Sequence, residues 1–441
     1  MVLLISANIE VLPDPVFPLG ASYISQALLN ASIEHDVVDL CFLKDPVFTL
    51  SNVDFRNYKI ILISIRNIDD VTFPKSISYM NFYKNIINIV RKKNKKAIVI
   101  IGGAGPSILP EECFNELMPD YLITGEGEIT IIKLIKNMFN NILPDKKIIE
   151  SESVDLANNL VVQRDKFDLI KYLQKGGCIN IQTRRGCSFK CIYCSYPLVE
   201  GKCIRFRNVN DVVNEIKYLK TKGINHYFFV DNVFNYPEEY AMELANAIIN
   251  NELNIKFSVY SRPIVKNKMF FKLMKQAGME SVDFGTDACN DEMLHNLGKD
   301  FRVKDIFHAH KLAYESNIKI NHSIILGGPG ETLDTMNNTF YNLNILQPTS
   351  VICMLGIRIY RNTPLYKHCL INGEIPGDEG GLKPYFYISQ DVENIIVPFA
   401  EKIAKENGNW IIPGLQLNYP LNYMKRQREK GRKGQIWELF N

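Results

Sequence analysis

Cys187, Cys191 and Cys194 stand at C-x3-C-x2-C spacing within Arg185-Gly186-Cys187-Ser188-Phe189-Lys190-Cys191-Ile192-Tyr193-Cys194. Thiolates are the ligands that soft iron–sulfur clusters prefer, and three of them on one short loop can converge on a single centre. A four-iron cluster held by three cysteines keeps one iron open to a ligand that is not protein. A structural zinc site instead wants four closed ligands, usually as two short pairs, and no second pair lies near. A disulfide fits less well, because three close cysteines cannot all pair and nothing marks the chain as secreted. Cys178, Cys203 and Cys289 fall outside the spacing and read first as buried or incidental thiols.

The elements that must hold this loop follow from periodicity. Val2–Ser6, Ile33–Leu40, Ile60–Ser64, Ala97–Ile101 and Tyr121–Ile123 read as short apolar strands. Helical patterns lie between and after them near Leu19–Asn30, Tyr83–Arg91, Pro110–Leu117 and Glu128–Phe139. Strands alternating with helices imply a parallel sheet covered on both faces, which binds ligands at the carboxyl ends of its strands. Ser6, Asn8, Ser64 to Asn67, Gly102 to Ser107 and Gly125 to Glu128 fall there. Gly102-Gly103 either admits a bulky ligand to the backbone or makes a tight strand-to-helix turn. Beyond the cysteines, strand-like segments at 226–231, 255–261, 281–285, 319–326 and 351–360, with the strand before the loop, make six βα units. The fold class is α/β. A Rossmann-like (flavodoxin-like) parallel-sheet domain spans 1–145, a linker 146–175, a partial (βα)6 barrel 176–370 and a helical C-terminal extension 371–441.

Composition bounds the rest. The chain has 441 residues, 46% of them apolar and 22% charged, with a net charge of +3, which argues against a global nucleic-acid or membrane field. No apolar run is long enough to span a bilayer, and ten cysteines, several within apolar segments, suit a reducing cytoplasm. The basic segment Lys202, Arg205, Arg207 reads as a solvated face, and so does the basic run in the tail at 425–433, which lacks the aromatic interleaving of RNA readers. Trp437 and Phe440 can anchor that tail onto the core, closing the barrel's bottom or helping to form the substrate pocket.

The cysteine spacing, with Tyr193 just before the last cysteine, resembles the radical S-adenosylmethionine (SAM) superfamily, in which SAM chelates the open iron and is cleaved to a 5′-deoxyadenosyl radical. Pro18-Leu19-Gly20, Ile101-Gly102-Gly103-Ala104, Leu109-Pro110-Glu111-Glu112 and Thr124-Gly125-Glu126-Gly127-Glu128 resemble, as a set, the cobalamin (B12)-binding domain that precedes the radical SAM domain in one subgroup. The resemblance implies a [4Fe-4S] cluster on Cys187, Cys191 and Cys194, and cobalamin near Ser64, Gly102, Gly103, Gly125 and Glu126. The D-x-H-x-x-G element is absent, so it also implies no histidine on cobalt. For SAM it implies Tyr193, Asp231 and Asn232 near the amino group, Ser261 and Arg262 at the carboxylate, and Asp287 at the ribose. Leu326 and Gly328 would form an adenine wall, and Arg358 would point into the barrel mouth. Asp231 could equally cap a turn before Asn232, and Glu331 reads as structural at a helix start.

The implied activity is a methyltransferase of the class B radical SAM kind, moving a methyl group from methylcobalamin to an unactivated carbon or phosphorus of a small molecule within an apolar barrel interior. An external electron donor such as flavodoxin or ferredoxin is implied as well. A cyclase or rearranging enzyme of the same architecture, or a corrinoid or redox sensor without catalysis, are the alternatives.

Overall fold

Val2–Ser6 (β1) is apolar at all but its last position and buried throughout, as a strand covered on both faces must be. Around it lie β2 (His35–Asp39), β3 (Ile60–Ser64), β4 (Ile98–Gly102), β5 (Tyr121–Thr124) and β6 (Ile148–Glu150). The order is β2-β1-β3-β4-β5-β6 with every pair parallel, the flavodoxin-like arrangement, with a ligand crevice where the order reverses at β1 and β3. The helices Leu19–Asn30 and Gly127–Phe139 pack together, as do Met80–Lys93 and Pro110–Leu117. This computed structural model describes residues 1–157, 164–377 and 379–439. Part of the expected linker, and Phe440, lie outside the described residues. β6 comes from the stretch expected to be linker: Ile148 and Ile149 supply two apolar residues that extend the sheet beyond β5.

The second unit begins with β7 (Ile179–Ile181), then β8 (Arg184–Arg185) and β9 (Arg205–Phe206), which pair antiparallel on either side of the cysteine loop. β10 (His226–Phe229), β11 (Lys256–Ser261), β12 (Met279–Asp287), β13 (Lys319–Leu326) and β14 (Ser350–Leu355) follow. β15 (Ile357–Arg358) and β16 (Phe386–Tyr387) form a small antiparallel pair, and β17 (Trp410–Ile411) joins the main sheet. That sheet runs β17-β14-β13-β12-β11-β10-β7. Six of its strands are the expected barrel strands. The seventh, β17, comes from the tail, where the sequence reads only helix: two residues of strand carry too little periodicity to be recognised.

One apolar core runs through both units. Phe17, ahead of the first helix, meets Phe167 and Tyr172 edge-on at 5.6 and 5.4 Å, in the same cluster as Ile179, Ile181 and Val212. A buried ionic knot reinforces it. Glu215 pairs with Arg207 at 2.6 Å and with Arg164, whose Nη1 donates to the Asn180 carbonyl at 2.7 Å. Arg207 therefore belongs to the interior, because an acid on the following helix faces it, and the solvated-face expectation fails for this residue. Among the described residues no helix is long and apolar enough to cross a membrane.

Candidate functional site: a cysteine loop against the crevice of the first sheet

The cysteine loop leaves the sheet at Gly186, whose φ is +91° and whose Cβ, if present, would lie 2.1 Å from the Cys203 carbonyl oxygen. Only glycine can start the loop there. Cys187 N donates to the Gly201 carbonyl (3.1 Å) and Ile192 N to the Leu297 carbonyl (3.2 Å), which ties both ends of the loop to neighbouring turns. All three thiols are partly accessible. Burial pushes the Cys194 thiol up to about 12, with the nearby Cys191 and Cys187 adding to it, and burial also raises Cys191 while Lys299 opposes the rise. Three thiols on one loop fall one short of the four closed ligands of a structural zinc site and suit three corners of a cluster.

Behind the loop, Asp287 ends β12 with φ +62°. It accepts a hydrogen bond from the Tyr193 hydroxyl and an ion pair from Lys299, whose Nζ also donates to the Tyr193 hydroxyl at 3.3 Å. Lys299 is a site residue that the sequence reading missed, since it lies between two helices in no motif. Arg262, expected at a carboxylate, stacks its guanidinium 3.7 Å from the ring centroid of Phe189 in the loop and pairs with Asp300. Ser261 is buried, with no partner for its hydroxyl among the described residues.

Three expectations are corrected. Asp231, expected at the SAM amino group, is fully buried. One oxygen accepts from Thr183 N (2.6 Å) and Arg184 N (3.2 Å), the other from Thr183 Oγ1 (2.6 Å). It thus fixes the backbone entering the loop, while Asn232 donates to Glu200 at 2.7 Å. Leu326 is 1% exposed within the apolar core and Gly328 is buried beside Leu297, so neither offers a wall to a ligand. Arg358, expected to point into the barrel mouth, is buried and engaged by Asp69 of the first unit at 3.0 Å and by the Gly381 carbonyl at 2.7 Å. For Asp231 and Arg358 a partner distant in sequence engages the charged side chain.

The carboxyl ends of β3, β4 and β5 open into a cavity of about 250 Å³. Leu4, Leu62, Ile100 and Ile123 form its apolar depth, and Ser64, Gly102, Gly103 and Gly125 to Glu128 line it too. Its lining, mostly apolar with a few polar and acidic groups, fits a ligand with an apolar face and polar groups at its edge. Gly103 is required by the chain itself: its φ is +108° and a Cβ would meet the Ile65 carbonyl oxygen at 2.5 Å. The turn reading therefore suffices for this glycine. Among the described residues no histidine lines the cavity. His35 is buried on β2, against Ser25 Oγ (2.8 Å).

The same cavity is also lined by Gln182, Arg185, Val199 and Glu200, which flank the cysteine loop in sequence. Arg185, two residues before Cys187, lies 2.7 Å from Glu128 and 3.3 Å from Glu126, with its guanidinium 4.7 Å from the ring centroid of Tyr23. Arg205 also pairs with Glu126. Burial works to raise the Glu126 carboxyl, but the hydrogen bond from Arg205 and the charge of Arg185 outweigh it and hold it below the usual carboxylate range. Glu126, expected at cobalamin, thus grips the loop that carries the thiols.

Two family models match the chain in tandem: the B12 binding domain over residues 5–135 and the radical SAM superfamily over residues 181–340. The chain belongs to the cobalamin-binding radical SAM family. Its cofactor set is a [4Fe-4S] cluster, SAM and cobalamin. Relatives of this radical SAM protein include an uncharacterized methyltransferase of Pyrococcus horikoshii, 26% identical over 73% of this chain and 72% of the relative. The tryptophan 2-C-methyltransferase of Streptomyces laurentii is 23% identical over 78% and 70%. Among solved structures, the radical SAM methyltransferase TsrM of Kitasatospora setae, with tryptophan and a SAM analog bound, superposes with a TM-score of 0.88 at 20% identity, over 100% of this chain and 97% of that one. At that identity the likeness establishes the shared fold of both units.

Proposed function

We propose that this radical SAM enzyme is a cobalamin-dependent methyltransferase acting on a small molecule held in the barrel. The observation that carries this reading is the contiguity of the two sites: one cavity is lined by the β3–β5 ends of the first unit and by Gln182, Arg185 and Glu200 around the cysteine loop. When bound, the cluster would supply the electron that cleaves SAM, and cobalamin the methyl group to be transferred.

The chain's own residues position these parts. Cys187, Cys191 and Cys194 would hold three irons. Tyr193, Asp287 and Lys299 brace the loop from the barrel side, and Arg262 covers it through Phe189. Glu126 and Glu128 hold Arg185, so the crevice of the first sheet and the thiols keep one mutual distance, which is the positioning a two-cofactor reaction demands. Reduction would come from an external one-electron donor of the flavodoxin or ferredoxin kind.

Anaerobic reconstitution with iron, sulfide and hydroxocobalamin, followed by incubation with methyl-deuterated SAM and reductant, tests the reading. A corrinoid absorption band and a deuterated methyl group in the product support it. Reconstituted chain that forms 5′-deoxyadenosine but shows no corrinoid band, and no response to added cobalamin, belongs to a non-methylating enzyme of the same architecture.

A further inference from the structure

Along a strand, alternate side chains face the lumen and the outer helices. In this barrel part of the lumen-facing set is accessible: Phe228, Tyr260, Ser323, Ile352 and Met354 are half-buried or exposed, while Ser258, Asp283, Asn321 and Ser350 on the same wall are buried, as are the outward-facing Phe229, Val259, Ile324, Val351 and Cys353. The lumen is therefore hollow beside the accessible side chains. Its wall is also more polar than the apolar interior expected from the sequence. Tyr260, Asp283, Asn321 and Ser350 stand side by side in register across four parallel strands. Asp283 Oδ1 accepts from Asn321 Nδ2 and Ser323 Oγ, each at 2.8 Å, and Asn321 Oδ1 accepts from Ser350 Oγ at 2.7 Å. Asp283 Oδ2 has no donor among the described residues and still meets the lumen. Beside it the Tyr260 ring, 40% exposed, meets Phe228 edge-on at 4.7 Å. The tail closes the far end, with Gln435 donating to Ser258 Oγ at 3.1 Å and Ser281 Oγ donating to Glu438 at 2.5 Å.

We infer that Asp283, beside Tyr260 and the Phe228 ring that Tyr260 meets, orients the substrate and selects a flat apolar molecule that carries a protonated amine or an N–H donor. A carboxylate with one oxygen saturated and the other facing an enclosed space lacks a donor that a ligand can supply, and it repels an anion. Burial lifts its carboxyl to about 7 against the hydrogen bonds from Asn321 and Ser323, so a neighbouring cation relieves an acid that solvent serves poorly. The aromatic edge offers a ring a face to pack on. The inference rests on the reading that the lumen receives the substrate.

Binding of benzylamine and of benzoate to the reconstituted full-length chain, measured by isothermal titration, tests it. Benzylamine should bind at least about tenfold more tightly than benzoate, and Asp283→Asn should erase that preference while the cluster and corrinoid absorption stay unchanged. If Asp283→Asn does not assemble, the wild-type preference and its weakening in Tyr260→Ala decide. Equal affinities, no binding of either probe, or an undiminished preference in Asp283→Asn overturns the inference. Label transfer from SAM is read separately. A chain that prefers benzylamine yet transfers no methyl group keeps the subsite and loses the methyltransferase reading, and methyl transfer without the preference does the reverse.

Discussion

At the scale of single residues, each of the three thiols would hold one corner of the proposed cluster. Cys187→Ala, Cys191→Ala and Cys194→Ala are each expected to abolish the iron–sulfur absorption and to reduce 5′-deoxyadenosine formation to background, measured by chromatography after reduction with SAM present. Glu331 shows the opposite kind of residue. Its carboxylate is 1% exposed, accepting from Gly327 N (3.2 Å) and Thr335 Oγ1 (2.6 Å). Burial, against those hydrogen bonds, lifts its pKa from 4.5 to about 7. Between those values the folded chain keeps a proton that the unfolded chain has released, so Glu331's contribution to stability falls as pH rises through the window. The loss is about 3 kcal/mol at most. Denaturant unfolding at pH 5 and pH 8 should show this decline in the wild type and a shallower one in Glu331→Gln. The sequence reading already made Glu331 structural from its place at a helix start, and its hydrogen bonds to the turn and to that helix bear this out.

Between elements, the informative contact joins the loop Gly125–Glu128 to the strand before the cysteines. Its glycines and acids are visible in the sequence as a strand-end cluster, but a strand end can meet a ligand or another strand's loop, and spacing alone does not distinguish them. Glu126 and Glu128 meet Arg185, and Arg205 joins Glu126. Arg185→Met keeps the side chain's volume and leaves two acids in a largely buried place without one of their cations. It should cost about 3–5 kcal/mol and lower the iron bound per chain after reconstitution, measured by denaturant unfolding and iron analysis. Glu126→Gln keeps a hydrogen-bond acceptor for Arg205 and should cost less. Equal losses in the two variants would mean that Arg185 does not act through charge.

For the whole molecule, the tail adds a further tie between the two units. Arg428 is 6% exposed, pairing with Asp14 of the first unit (2.6 Å) and donating to the carbonyls of Arg432 and Gly434. Burial raises Asp14 to about 6 against the hydrogen bond and charge of Arg428. Arg428→Ala is expected to destabilise the chain by roughly 3–5 kcal/mol and to expose the barrel's lower end to proteolysis, seen as early cleavage after residue 430 in limited digestion. In the sequence this arginine is one cation in a basic run. Local pattern did determine much of the protein: the thiol spacing sets the cluster chemistry, and alternating apolar strands and helices set both α/β units, because each is a property of neighbours along the chain. The tertiary structure alone decided which charged side chains are structural. Asp231, Arg207, Arg358 and Arg428 are all buried against partners supplied by other elements, and a charge's role depends on what faces it across space. The hollow, acid-bearing lumen is of the same kind, since Asp283 meets Asn321 and Tyr260 only when parallel strands come into register.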